Sequence, residues 1–225
     1  MSQLESILRP PERESPPYPP KFVVLASGEK MVVRQATREE VPILLQDVGP
    51  LMTIERDFYD IVAARTYAEL LGWKRYRVRD EYCLVGLIDG TLVGVVNGRS
   101  LSTKIGISLH TIAMRRGLRI GAHLFAAKME YHIEYLGQQE VYIVAESPIG
   151  FRRWMIEYSL EKRPQVHHEL GGVMSWALTR DLYFRAKGRL VVGERPVPEP
   201  LLETARRIKL VEREQLIRQV TGKAR

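Results

Sequence analysis

Residues 111–137, TIAMRRGLRIGAHLFAAKMEYHIEYLG, constrain the fold more than any other part of the chain. The apolar residues at the start are typical of a strand, and the amphipathic pattern from Arg119 onward is typical of a helix that ends at Gly137. A helix N-terminus presents unpaired backbone N–H groups and the positive end of the helix dipole. The junction between this strand and this helix therefore predicts a seat for a phosphate group.

Two kinds of residue at the junction strengthen this prediction. Gly117 and Gly121 would let the backbone approach a ligand closely. Arg115, Arg116 and Arg119 add positive charge and forked donors that suit phosphate oxygens. A simple turn with exposed arginines would contain the same residues, so that interpretation stays open. The segment has neither the GxGxxG nor the P-loop spacing, so a nucleotide site of those kinds is not predicted.

The order of predicted elements gives the fold class. It is strand, helix, helix, hairpin, strand, helix, strand, helix, one or two strands, and helix. The predicted strands lie at 30–36, 81–100 (a hairpin turning at Asp89-Gly90), 105–114, 140–146, 171–182 and, as a further candidate, 162–170. The predicted helices lie at 37–52, 55–73, 119–137, 147–160 and 201–220. A hairpin followed by alternating strands and helices predicts an α/β protein with a mixed sheet flanked by helices.

The composition of the chain predicts its segments and its cellular location. Residues 1–22 are rich in proline and predict a flexible arm that is disordered or loosely docked. Residues 23–190 are expected to form the domain, and 191–225 a linker and a C-terminal helix. The only cysteine is Cys83, and the N-terminus lacks the basic-then-apolar order of a secretory signal, so we expect a cytoplasmic protein. No apolar run of about 18 residues predicts a membrane span.

The net charge of +7 suits an anionic ligand or nucleic acid. Glutamates interleave with the arginines of the C-terminal segment, as on a solvated helix face, which argues against nucleic acid as the partner. No spacing of histidine and cysteine predicts a metal site. The anionic ligand therefore remains the leading interpretation of the charge.

The segment RRGLRIGAHL resembles the R/Q-x-x-G-x-G/A motif of the GCN5-related N-acetyltransferases, the GNAT superfamily, with Arg116 first and Gly121 last. The resemblance extends from about Met31 to about Thr179. It implies a GNAT-like fold with a mixed, mostly antiparallel central sheet flanked by helices. It also implies an acyl-CoA-dependent N-acyltransferase, which would transfer acetyl from acetyl-CoA to a small-molecule or peptide amine by direct attack in a ternary complex.

The resemblance also implies where acetyl-CoA binds. Its pyrophosphate would bind the backbone amides from Arg116 to Ala122, and its pantetheine would pair with the main chain near Ile112 and Met114. A V-shaped opening between that strand and the next would hold the thioester. The implied cofactor-binding residues are Ile112, Ala113, Met114, Arg116, Gly117, Leu118, Arg119, Ile120, Gly121, Ala122 and Ser147.

Three departures from the family pattern leave alternatives open. Arg119 stands where the motif has its first glycine, the connection before Arg116 is short, and Trp154 or Met155 falls where the family has a tyrosine. A long-chain acyltransferase using acyl-CoA or an acyl carrier protein is one alternative. A catalytically weak protein that binds acyl-CoA as a sensor is another. By analogy with the family, the appended C-terminal helix would allow a homodimer.

Three residues are candidates for the chemistry of acyl transfer. His110 precedes the phosphate seat and is a residue type suited to a base near neutral pH. Glu146 ends the next strand and is expected to point toward the same opening, although it could instead cap the following helix. Tyr158 is the nearest phenol to the family's acid position, but it is displaced by about three residues, and packing is the favoured interpretation of this residue.

Overall fold

One mixed sheet runs through the computed structural model, which describes residues 3–172 and 174–222. Its eight strands are β1 (Lys21–Val24), β2 (Lys30–Gln35), β3 (Glu81–Ile88), β4 (Thr91–Ser100), β5 (Ile105–Ala113), β6 (Glu140–Ile143), β7 (Glu161–Lys162) and β8 (Trp176–Thr179). They lie in the order β1-β2-β3-β4-β5-β6-β8-β7. Neighbouring strands are antiparallel, apart from β5 and β6, which are parallel. The predicted α/β class, with a mixed and mostly antiparallel sheet, is confirmed.

Helices cover both faces of the sheet. They are α1 (Gln3–Leu8), α2 (Val41–Val48), α3 (Tyr59–Lys74), α4 (Ile120–Glu130), α5 (Pro148–Gly150), α6 (Arg180–Leu190), α7 (Glu199–Ala205) and α8 (Arg213–Thr221). Apolar residues of α2, α3, α7 and α8 pack on one face, and those of α4 pack on the other. A π-helical turn extends α4 through Tyr131–Tyr135, and another extends α5 through Phe151–Ile156. None of the described helices has the length and apolar character needed to cross a bilayer.

The predicted hairpin is confirmed as β3 and β4. Its turn residues Asp89 and Gly90 have φ angles of +50° and +82°. Two successive positive φ values are what a type I′ turn requires, and Asp-Gly is among the few pairs that adopt them readily. The two turn residues themselves therefore determine where this hairpin turns.

The opening expected between two strands follows from the pairing of β5 with β6. The two strands pair only from Ile105 to Ile107 on β5, opposite residues 140–142 of β6. Beyond that point they separate, so the second half of β5 and residues 143–146 form the two walls of a gap. β5 also contains an irregularity opposite β4, where Asn97 faces Leu109 and His110. Such bulges redirect side chains and often lie beside functional sites.

The C-terminal helix predicted at 201–220 is two helices, α7 and α8, which corrects that prediction. Between them, Ile208 is buried and Lys209 forms a bridge to Thr91, with its backbone N–H bonded to the carbonyl of Gly90. These contacts with the hairpin turn keep residues 206–212 non-helical, although the charge pattern of this segment is typical of a helix. Residues 223–225 of the predicted C-terminal segment lie outside the described residues.

The N-terminal arm, predicted to be disordered or loosely docked, contacts the domain near its end. Tyr18 is buried, and its hydroxyl donates to Glu130 at the end of α4 (2.6 Å). Lys21 begins an edge strand and donates to the same carboxylate (2.7 Å). The hydroxyl of Tyr131 also donates to the carbonyl of Pro16 (2.7 Å), so the proline-rich segment contacts α4 at several points. Met1 and Ser2 of the predicted arm lie outside the described residues.

The strand predicted at 171–182 is shorter than expected and ends at Thr179. Thr179 caps α6, because its hydroxyl accepts a hydrogen bond from the Leu182 amide (3.3 Å). Residues 180–182 therefore belong to a helix, which corrects this part of the prediction. Of the candidate strand at 162–170, Lys162 alone lies in a strand, β7. Val173 lies outside the described residues.

Replacing Gly106 by alanine should destabilise the protein by about 1–3 kcal/mol, because a Cβ there would overlap the buried side chains of Gln138 and His132. Gly188 in α6 is the matched control, since nothing lies within 4 Å of a Cβ at that position. Gly188→Ala should stabilise the protein by about 0.5–1 kcal/mol through helix propensity. Urea unfolding at unchanged m-value measures both, and equal stability of Gly106→Ala and the native chain would contradict the packing described.

Candidate active site

A cleft of about 320 Å³ opens where β5 and β6 separate. Its walls come from the end of β5, the loop and first turn of α4, the start of α5 and the start of α3. Nine of the residues predicted to bind a cofactor line it: Ile112, Ala113, Arg116, Gly117, Arg119, Ile120, Gly121, Ala122 and Ser147. The predicted phosphate seat and the predicted opening are thus parts of one cavity.

The loop before α4 brings backbone amides to the rim of the cleft. Gly117 has a φ of +81° and open space around it, and the α4 N-cap Arg119 has a φ of +57°. The first hydrogen bond of α4 joins the His123 amide to the Arg119 carbonyl (3.0 Å). The amides of residues 120–122 therefore precede the helical ladder, as at any helix N-terminus. Arg119 occupies a conformation that favours glycine, at a cost of about 1–2 kcal/mol.

The three arginines of the junction have different partners. Arg115 is held by both oxygens of Glu29, each at 2.9 Å. Arg116 donates to Asp57 (2.6 Å) and to the carbonyl of Val220 in α8, which fixes its head group at the cleft. Its Nη2 atom is buried without a hydrogen-bond partner among the described residues. Arg119 is 55% exposed, with Glu157 at 3.8 Å.

The main chain of β5 offers only some of its polar groups to the cleft. The Met114 amide donates to the Val93 carbonyl of β4 (2.8 Å), so this predicted contact residue faces the neighbouring strand. The Ala113 carbonyl accepts a hydrogen bond from the hydroxyl of Tyr59 (2.6 Å), which also lines the cleft. Leu118, another predicted contact residue, packs against the core under α4. The free edge of β5 is therefore centred on residues 111–113.

Two predicted catalytic residues meet at the inner end of the gap. His110 is fully buried, and its Nδ1 lies 3.0 Å from Oε2 of Glu146. The other Glu146 oxygen accepts from Arg65 of α3 (2.8 Å). Burial alone would raise the pKa of Glu146, but the hydrogen bonds and charges of His110 and Arg65 outweigh it and lower that pKa. The carboxylate is therefore ionised near neutral pH.

The remaining nitrogen of His110 is the chemically available one. Nε2 is buried and has no hydrogen-bond partner in the described part of the chain. The backbone of His110 is fixed by Asn97, whose Oδ1 accepts from the His110 amide (2.9 Å). A histidine oriented through Nδ1 by a carboxylate, with Nε2 free of protein hydrogen bonds, can act as a general base.

Solved structures decide which fold this is. An uncharacterized protein from Bacillus halodurans aligns over 77% of this chain and 96% of its own, with 11% identity and a TM-score of 0.54. FdhC, a nucleotide-linked sugar GNAT, aligns over 80% and 100% at 10% identity and TM-score 0.50. The GNAT domain of S. lividans PAT aligns over 74% and 99% at 13% identity and TM-score 0.50. The chain has the GNAT fold. No protein-family model and no curated protein matches the sequence.

Within this GNAT fold, the third catalytic candidate lies elsewhere. Tyr158 lines a separate cavity of about 120 Å³, with its ring edge-on to Phe125 (5.5 Å between centroids). Its hydroxyl is buried without a partner among the described residues, and burial raises the pKa of Tyr158. Trp154 lines both this cavity and the main cleft, and it stacks on Phe125 (4.6 Å). The structure thus brings His110 and Glu146 together and leaves Tyr158 apart from them.

Lys128 is a buried polar residue of this chain that was not among the site residues predicted from the sequence. It lies on α4 and is 0% exposed, and burial lowers the pKa of its amine to about 7. The sequence carried a signal, because Lys128 follows Ile120 and Leu124 at intervals of four and so occupies the buried stripe of the helix. No group of three metal-ligating side chains occurs in residues 3–172 and 174–222.

Proposed function

We propose that this protein is an acyl-CoA-dependent N-acyltransferase that transfers acetyl from acetyl-CoA to an amine by direct attack. The observation that carries the proposal is the gap where two parallel strands separate: its walls hold the His110–Glu146 pair, and the residues that follow both, Thr111 and Ser147, line a cleft at a helix N-terminus. One end of this arrangement suits phosphate, and the other suits proton removal from an amine.

The residues of the cleft fit acetyl-CoA. The buried, unpartnered Nη2 of Arg116 lacks an acceptor that a phosphate oxygen would supply. The amides of residues 120–122 offer further donors to the pyrophosphate. A volume of about 320 Å³ lies within the range of small-molecule sites. The free edge of β5 at residues 111–113 would bind the pantetheine, with Ser147 and Trp154 on the opposite wall.

The proposed mechanism uses few groups. Acetyl-CoA supplies the activated acyl group and the thiol that leaves. His110 accepts a proton from the attacking amine through Nε2, while Glu146 holds Nδ1 and stabilises the charge that His110 gains. Arg65 fixes Glu146 from α3. Direct attack depends mainly on holding amine and thioester together, so one oriented base suffices.

One observation favours a second candidate, an acyl-CoA-binding protein with little catalytic activity. Tyr158, the phenol nearest to the acid position of the family, lies outside the cleft. A protein of this kind would bind acetyl-CoA but release no CoA in the presence of amines. Both candidates therefore predict binding of acetyl-CoA, and only the acyltransferase predicts turnover.

Acetyl-CoA turnover with a panel of primary amines and with hydroxylamine tests the proposal. Hydroxylamine is small enough to enter any acceptor pocket. We expect amine-dependent release of the CoA thiol above the uncatalysed rate, measured with a thiol reagent. Binding of acetyl-CoA without release for any acceptor would establish the second candidate, and absence of binding would exclude both.

A further inference from the structure

Lys128 is enclosed at the back of the proposed site, between α4 and the sheet. Its Nζ lies 3.0 Å from the His110 carbonyl, 3.2 Å from the Thr111 hydroxyl oxygen and 3.3 Å from the Asn97 carbonyl. An ammonium group has three donors, and these three contacts use all of them. No carboxylate forms an ion pair with Lys128 within residues 3–172 and 174–222.

Part of this arrangement is structural. The bulge that sets Asn97 opposite Leu109 and His110 breaks the regular ladder between β4 and β5. Lys128 donates to the Asn97 and His110 carbonyls at this irregularity. A neutral donor would satisfy these carbonyls without the large cost of burying an unpaired charge. The two backbone carbonyls thus explain why a hydrogen-bond donor lies at this position. They do not explain why the donor is the amine of a lysine.

The third contact reaches the cleft. Three residues that carry hydroxyls line it: Tyr59 donates to the Ala113 carbonyl, Ser147 caps α5, and Thr111 accepts from Lys128. A hydroxyl that accepts a hydrogen bond still has its own proton to donate. Thr111 is next to His110 in β5, so a donor and a base lie on adjacent residues.

We propose that Thr111 protonates the departing thiolate and that Lys128 supplies the replacement proton from behind it, an inference that rests on the acyltransferase function proposed above. The amine nitrogen bonds to the acyl carbon, the carbon–sulfur bond breaks, and sulfur takes the Thr111 proton. Thr111 takes a proton from the Lys128 ammonium, and His110 keeps the proton lost by the amine. After product release, His110 loses its proton to water, and Lys128 regains one through Thr111. Thr111 is the catalytic residue, and Lys128 is the positioning residue.

The charges around Lys128 are compatible with this role. The titratable groups that face it are His110 of β5, Cys83 of β3, His132 after α4, Glu146 after β6 and His168 after β7. Burial lowers the pKa of Lys128 to about 7, although Glu146 and Cys83 act to raise it. A free cysteine thiol has a pKa of about 8.5. Proton transfer from this ammonium to an alkyl thiolate is therefore favourable.

Steady-state kinetics with acetyl-CoA and hydroxylamine between pH 6 and pH 9 test the catalytic role. Thr111→Val should lower kcat by about 100-fold, the lower range for general acid catalysis, with a KM for acetyl-CoA within about twofold. Thr111→Ser should restore most of kcat. In the native enzyme kcat should fall above about pH 7, as Lys128 loses its proton, and this fall should be absent in Lys128→Met. If Lys128→Met does not fold, the Thr111 pair decides the test.

NMR of ¹³C-labelled lysine provides a readout that does not depend on turnover. The titration midpoint of Lys128 should rise when CoA binds and stay unchanged when desulfo-CoA, which lacks the sulfur, binds. Equal midpoints with both ligands, or an unchanged kcat in Thr111→Val, would overturn the inference and leave the proposed function intact. Failure of CoA to bind at all would overturn both.

Discussion

Replacing His110 by glutamine should lower kcat for acetyl transfer by about 10²–10⁴-fold and leave the KM for acetyl-CoA nearly unchanged. Glutamine approximates the size of histidine and can hydrogen-bond to Glu146, but its amide cannot accept a proton from an amine. Because His110 is fully buried beside Glu146, the change removes the proposed base in the gap between β5 and β6 and does not touch the proposed phosphate seat. The loss should therefore appear in kcat.

Two further variants make the His110 result interpretable. His167→Gln changes an exposed histidine and should retain full activity. Glu146→Gln keeps a hydrogen-bond acceptor beside Nδ1 but removes the charge that stabilises protonated His110, so we expect a smaller loss than for His110→Gln. Thermal unfolding with and without acetyl-CoA checks that each variant folds and binds. Full activity of a folded His110→Gln protein would show that the base is another group.

As the pH rises from 7 to 9, Lys128→Met should lose stability relative to the native chain. Burial lowers the pKa of Lys128 from 10.5 to about 7 in the folded state. Between those values the unfolded chain binds more protons than the folded one, so the native free energy of unfolding rises with pH, by about 1 kcal/mol per pH unit. Methionine has no charge to bury, and its variant lacks this slope.

Urea unfolding at pH 6, 7.5 and 9 measures the difference between Lys128→Met and the native protein. At pH 6 the charge that methionine no longer buries favours the variant, and the hydrogen bonds that Asn97, His110 and Thr111 lose disfavour it, at about 1–3 kcal/mol for each group left unpaired. The slope with pH, more than the value at one pH, is therefore the decisive quantity. Lys104→Met, at an exposed lysine, should follow the native curve from pH 6 to pH 9. A constant difference for Lys128→Met would contradict the lowered pKa.

Those parts of the fold that depend on local chemistry could be predicted from the sequence. The Asp89-Gly90 turn requires two positive φ angles, and the two residue types that accept them are adjacent in the chain. The end of the long helix at Gly137, with a φ of +68°, is a similar case. The sequence also indicates that His110 and Glu146 lie at one opening, because they belong to neighbouring predicted strands, but it does not predict the contact between their side chains.

Features that depend on distant contacts could not be predicted. Tyr18 anchors the proline-rich arm through Glu130, which is 112 residues away. Arg116 is fixed by Val220, 104 residues away, so the C-terminal helix contributes to the cleft although its own sequence indicates only an exposed helix. Lys128 illustrates the same limit, because its role depends on a bulge between two other elements. Periodicity indicates that a residue is buried, but it does not show which partners it meets.

Thermal unfolding with and without acetyl-CoA tests the central claim, that the cleft binds acyl-CoA at the start of α4. At about 100 times the dissociation constant, the ligand should add roughly 2.7 kcal/mol of stability, which corresponds to about 5–11 °C for a chain of this size. Ala122 lies in the first turn of α4 and lines the cleft. Ala122→Glu should abolish the shift, because a carboxylate there favours the helix but repels phosphate. Ala122→Gln, of equal size without charge, should keep most of it. No shift in the native protein at millimolar acetyl-CoA, or equal shifts in both variants, would contradict the account.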